Sequence, residues 1–155
     1  MKITLIVVGR TTDKRLEALI DEYRERLKHY LSFEWRTIPE LKNAKNLSLD
    51  MQKNMEGDLI LKEAGTSYLV LLDEHGKEMR SIEFADWMQK RLLSGRDLTF
   101  VVGGPFGFSS AVYARADGKV SLSQMTFSHQ MIRLLFVEQI YRAMTILRGE
   151  PYHHE

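Results

Sequence analysis

Apolar residues alternate along the chain between short continuous runs and stretches at helical spacing. Lys2–Val8 is a β-rich run and predicts the first strand. Behind it, Leu16, Leu19, Ile20, Tyr23, Leu27 and Tyr30 fall on one helical face, with charges on the other and Thr11 or Thr12 as the expected cap. Residues 33–38 alternate and predict a second strand, stopped by Pro39. The Lys/Asn-rich stretch 41–47 reads as a loop. Ser48 then caps a weaker helix through Met51, Met55, Leu59 and Ile60, with Gly57 counting against it. Residues 67–72 (SYLVLL) form a continuous apolar strand that should end at Asp73, where Gly76 makes a turn. Ser81 is the expected cap of a helix carrying Phe84, Trp87, Met88 and Leu92 on one face, closed by Gly95. Leu98–Val102 predicts a fourth strand running into Gly-Gly-Pro-Phe-Gly, and Ser109 or Ser110 caps a short helix to Arg115. Residues 119–123 predict a short fifth strand. Residues 128–148 predict a long last helix, ended by Gly149 and Pro151.

Strands alternating with helices predict an α/β fold: a mostly parallel sheet with helices on both faces, in a single domain over 1–155. In such sheets ligands bind beyond the carboxyl ends of the strands. Three places therefore stand out, far apart in sequence: Leu72–Asp73, the glycine run 103–107, and 121–127.

Composition narrows the chemistry. The chain has 155 residues, 44% hydrophobic and 28% charged, as in ordinary globular proteins. It has no cysteine, so disulfides and thiolate catalysis are excluded, and a reducing, cytoplasmic compartment fits. The N-terminus lacks a small-residue cleavage site and reads as a strand rather than a signal peptide. No apolar stretch reaches membrane-spanning length. A net charge of +1 does not mark a strong nucleic-acid binder. The basic clusters Arg10, Lys14, Arg15 and Arg24, Arg26, Lys28 have acidic residues between them and read as solvated helix faces.

The glycines of 103–107 allow close backbone approach to a ligand, and equally a tight strand-to-helix turn; spacing alone leaves both open. The run is neither GxGxxG nor a P-loop, and the single glycine of VVGRTT argues against a nicotinamide-binding sheet. Residues 121–129 (SLSQMTFSH) offer hydroxyls and backbone at the start of a helix, for a polar ligand or for capping by Thr126 or Ser128. The last helix is apolar nearly all round, which requires wrapping by other elements or a partner subunit, and a homodimer is the simpler account. Within it, Glu138 and Arg142 are spaced to pair, which the spacing favours over the other reading of Arg142, a cation aimed at RNA phosphate or substrate. None of the five histidines has metal-ligand spacing, so no metal is expected. A loose tail is the default for a chain end, yet PYHHE is rich in rings on which unpaired RNA bases stack. Neither a GxSxG elbow nor a Cys–His pair supports a hydrolase.

With these pieces in place, the chain resembles the ribosomal RNA large subunit methyltransferase H family of SPOUT enzymes. The likeness rests on ITLIVVGR, LLDEHGKEMRSIEFA at 71–85, FVVGGPFGFS at 100–109, KVSLSQMTFSHQMIRLLFVEQIYRA at 119–143 and the ending GEPYHHE, in order and at family length. The resemblance implies a SPOUT fold with a C-terminal trefoil knot and a homodimer with the donor site near its interface. It implies methylation of N3 of a pseudouridine in 23S rRNA within the ribosome, with S-adenosylmethionine as donor. DNA, membrane and metal have no part in it. Cofactor contacts would fall at Leu72, Gly103, Leu122, Ser123, Gln124, Met125, Thr126 and Phe127. Gln124 and Met125 vary in the family, as backbone contacts allow. Arg142 is the expected stabiliser of developing charge, and Tyr152 and His154 are expected in substrate positioning or proton transfer. Some relatives carry a basic residue where this chain has His154. A non-catalytic module that binds ribosomal RNA or a nucleotide is the alternative.

Overall fold

The computed structural model describes residues 1–42 and 44–155. Five strands, β1 (Lys2–Val8), β2 (Ser32–Ile38), β3 (Tyr68–Glu78), β4 (Leu98–Val102) and β5 (Gly118–Ser121), form one sheet in the order β2-β1-β4-β3-β5, and every pairing is parallel. The helices are α1 (Lys14–Leu27), α2 (Leu49–Ala64), α3 (Ser81–Leu93), α4 (Ser110–Arg115) and α5 (Met131–Leu147).

The central strands are apolar on both sides because both faces are covered. On one face Ile3, Leu5, Val70, Phe100 and Val102 pack with Leu27 of α1, Phe84 and Met88 of α3, and Phe136, Val137 and Ile140 of α5. On the other, Ile6, Leu69, Leu71 and Val101 pack with Ile60 of α2 and Val112 of α4. Helices thus lie on both faces, as the element pattern predicts.

Several local expectations are corrected. Asp13, not Thr11 or Thr12, caps α1: its carboxylate accepts the Arg15 amide at 2.8 Å, and helix geometry ends at Leu27, short of Tyr30. Gly57 does not weaken α2 but lets it approach α4, since a Cβ there would sit 2.5 Å from Ser109 Oγ. Ser81 is the first residue of α3 rather than its cap; Arg80 holds that place, and its backbone N–H donates to Glu83 at 3.2 Å. The third strand does not end at Asp73: Leu72 and Lys77 both pair with Val120, so 73–76 form an excursion and pairing resumes to Glu78. Gly76 fits there because a Cβ would meet the Val120 amide at 2.7 Å. The fifth strand stops at Ser121, and α5 starts at Met131, with Ser128 Oγ accepting the Met131 amide at 3.0 Å. Within 41–47, a short 3-10 turn covers Ala44–Asn46, and Asn43 lies outside the described residues. The charged face of α1 is solvated and self-paired, with Arg24 to Asp21, Arg26 to Glu22 and Lys28 to Glu25.

Candidate functional site

The carboxyl ends of β3, β4 and β5 open into a cleft of about 560 Å³, within the size range of small-molecule sites. Three segments line it: Leu72–His75 after the straight part of β3, Gly103–Phe108 after β4, and Ser121–His129 between β5 and α5. The three strand ends distant in sequence therefore do converge. Of the expected ligand residues, Leu72, Gly103, Leu122, Ser123, Met125, Thr126 and Phe127 line the cleft. Gln124 does not; it is exposed.

The walls combine open apolar surface with polar backbone. Phe106, Met125 and Phe127 are 50%, 76% and 38% exposed, an unusual amount of large apolar surface around one opening. Among the described residues, the amides of Gln124, Thr126 and Phe127 donate to no backbone acceptor within the chain. A nucleoside-like ligand, with a flat apolar base and several acceptors, suits that combination. The glycine run carries its own support: the Gly104 amide donates to Glu56 of α2 at 3.3 Å, and burial raises the Glu56 carboxyl above its ordinary value, against that bond.

Asp73, at the cleft wall, takes a short hydrogen bond from the Tyr113 hydroxyl and one from the His75 amide at 2.9 Å. Burial works to raise its pKa, but these donors outweigh it and hold the carboxyl below the usual range. Burial and the same carboxylate push Tyr113 up to about 12. Glu74 takes the Thr126 hydroxyl at 3.2 Å and so ties the β3 excursion to the loop after β5. Neither contact was legible in sequence, since Tyr113 of α4 and Thr126 are each at least 40 residues from their partners. Among the described residues, no group of His, Asp and Glu is arranged to hold a metal ion, and no helix is long and apolar enough to cross a membrane.

The expected catalytic residues gather elsewhere. Glu138 and Arg142 pair at 2.6 Å, and the Tyr152 hydroxyl donates to the same Glu138 oxygen at 2.9 Å. The Arg142 guanidinium lies 4.8 Å from the Tyr152 ring centroid, and Tyr152 meets Tyr141 edge-on. Burial, with hydrogen bonds to Tyr23 and Glu138, holds Tyr152 in its protonated form well above the usual phenol range. The tail is therefore not loose: it folds back on α5, further tied by Tyr30 to Glu150 at 2.6 Å and Arg80 to Glu155 at 3.3 Å. His154 is exposed. His153, which the sequence did not single out, holds Arg142 through Nδ1 at 3.1 Å. A guanidinium only donates, so Nδ1 is the acceptor and the neutral ring carries its proton on Nε2.

Arg142 stands ten residues beyond Ile132, which lines the cleft, so the two sites lie about 15 Å apart along α5. Arg142, Tyr152 and His154 do not line the cleft of their own chain.

Comparison with known proteins gives the site a context. The family described as "Predicted SPOUT methyltransferase" matches residues 1–153. The chain is 60% identical to the "Ribosomal RNA large subunit methyltransferase H" of Bacteroides fragilis, 57% to that of Phocaeicola vulgatus and 55% to that of Flavobacterium johnsoniae. Each match covers the whole of both chains.

Proposed function

The chain belongs to the SPOUT methyltransferase family, and on that premise we propose that it transfers a methyl group from S-adenosylmethionine to N3 of a pseudouridine in 23S rRNA, in the ribosome. The observation that carries this reading is the convergence of three strand ends on one cleft whose walls suit a nucleoside-like donor. The name of these relatives supplies the ribosomal RNA.

S-adenosylmethionine supplies a methyl group already activated by its sulfonium charge. The protein's task is then positioning and proton management. Leu72, Gly103 and the run 122–127 would hold the donor, largely through backbone. The imide nitrogen must lose its proton before or during attack. Arg142 would stabilise the anion that develops. Glu138 and Tyr152 keep its guanidinium from swinging away. The exposed His154 is the candidate proton acceptor, and Tyr152 presents a ring against which a base can stack.

A cleft and a catalytic cluster so far apart on one chain are brought together most simply by a second copy. We therefore read the active form as a homodimer in which one protomer's tail reaches its partner's cleft. The apolar rim at Phe106, Met125 and Phe127 supports this. The reading includes the C-terminal trefoil knot. Its support is the family match over residues 1–153.

Incubation with methyl-labelled S-adenosylmethionine and ribosomes lacking the modification should place label on a pseudouridine of the large-subunit RNA. Label on another nucleotide would sink the substrate assignment. Donor binding without transfer would favour a non-catalytic RNA-binding role.

A further inference from the structure

The N-terminal end of α5 carries a polar arrangement that the proposed chemistry does not use. Arg133 is 1% exposed and is among the largest fully buried side chains. No carboxylate lies within salt-bridge distance of it among the described residues. Its guanidinium is held by neutral oxygens instead: Nη2 donates to the Val8 carbonyl at 2.7 Å, Nη1 to the Gly9 carbonyl at 2.9 Å and Thr11 Oγ1 at 3.2 Å, and Nε to the His129 carbonyl at 3.0 Å. Beside it, Gln130 accepts the Thr12 amide at 3.0 Å and donates to Arg10 O at 3.1 Å. Two side chains thus bond to every residue from Val8 to Thr12.

An apolar residue would fill the Arg133 position without the cost of burying a charge, a cost that the nearby Glu40 carboxylate, not in direct contact, offsets only in part. What the guanidinium adds is direction: a rigid fork fixes several carbonyls at once, and lysine cannot reproduce it. One of those carbonyls belongs to His129, which lines the cleft. The loop 122–127 is anchored at its start by Ser121 Oγ to Ser123 O at 2.8 Å; among the described residues its other side-chain contacts, Met125 N–H to Ser123 Oγ and Thr126 to Glu74, are exposed. Gly9, with φ of +78°, turns the end of β1 so that its carbonyl and that of Val8 both face the guanidinium.

We propose that Arg133 and Gln130 form a latch between the end of β1 and the start of α5 that positions the loop 122–127 for its ligand. They are positioning residues: they order the loop before the ligand arrives, so that binding does not have to bear the ordering cost. The identity of that ligand, S-adenosylmethionine, rests on the functional reading above; the latch itself rests on geometry.

The test combines hydrogen exchange on the ligand-free protein with titration of S-adenosylmethionine, for Gln130→Ala and Arg133→Lys. Gln130 sits at the edge of the latch, so Q130A should remain folded. The hydrogen-bonded amides at the two ends of the loop, Met125, Met131 and Ile132, should exchange about 2- to 10-fold faster, the equivalent of roughly one lost hydrogen bond, while β4 keeps its protection. Affinity for the donor should fall by a similar factor, with the loss in KM rather than kcat. R133K should move the same readouts further. Loop exchange at the wild-type rate in Q130A would overturn the latch, as would acceleration shared equally by β4. If the wild-type protein binds no S-adenosylmethionine, the functional reading falls, and the exchange data still decide the latch.

Discussion

On the outer strand, Glu34 lies between Lys2 at 2.9 Å and Arg36 at 3.0 Å, and these two cations hold its carboxyl down at about 2 against an ordinary 4.5. A carboxyl with a depressed folded-state pKa contributes stability above its unfolded value and loses it as pH falls through the folded one. The contribution of Glu34 should therefore be intact above about pH 4.5 and vanish towards about 2. Urea midpoints measured down this range should fall less steeply for Glu34→Gln than for the wild type; parallel curves would refute the assignment. The Arg142 cluster shows what single residues reveal in sequence. Its pairing with Glu138 follows from i,i+4 spacing. The contributions of His153 and Tyr23 do not, because the tail must fold back for either to arrive.

Among the elements, α2 and α4 meet where Gly57 faces Ser109 and Val112. In an exposed helix, Gly→Ala gains up to about 1 kcal/mol. Here the new methyl would meet Ser109 Oγ at 2.5 Å and Val112 Cγ2 at 3.1 Å, so Gly57→Ala should cost about 1–3 kcal/mol by urea unfolding. Ser109→Gly should relieve part of this, making the double variant less destabilised than the sum of the singles. Additive losses would mean that the helices simply shift apart. A glycine in a helical pattern reads as a weakness until its neighbour is known. The β3 excursion is similar: Asp73 and Gly76 are good turn residues, but pairing with β5 carries the strand on to Glu78. The last helix was expected to be wrapped by other elements or by a partner subunit; α1 and α3 pack against it, leaving Met131 exposed and Ile132, Leu134, Leu135, Ile146 and Leu147 half-buried.

For the molecule as a whole, the separation of cleft and tail makes a sharp prediction. If each active site takes its cleft from one protomer and its Arg142 from the other, an Arg142→Ala chain and a Gly103→Val chain, each inactive alone, should restore activity when co-expressed. Random pairing would give about a quarter of the wild-type level. No restoration would mean that each chain builds its own site. The three ligand segments were legible as strand ends because a parallel α/β sheet exposes its carboxyl edge whatever its order. That these three face one cleft depends on β4 lying between β1 and β3, with β5 outside.

Element identities, the parallel α/β class and the cap at Ser48 are set by interactions within a turn or two of chain, and the residue pattern carries them directly. Strand order, the continuation of β3, the fold-back of the tail and the burial of Arg133 were decided by tertiary structure. Each of these joins residues distant in sequence, Arg133 to Val8 being 125 apart. Such a contact is favourable only once the sheet has brought both ends together, so no local pattern can encode it.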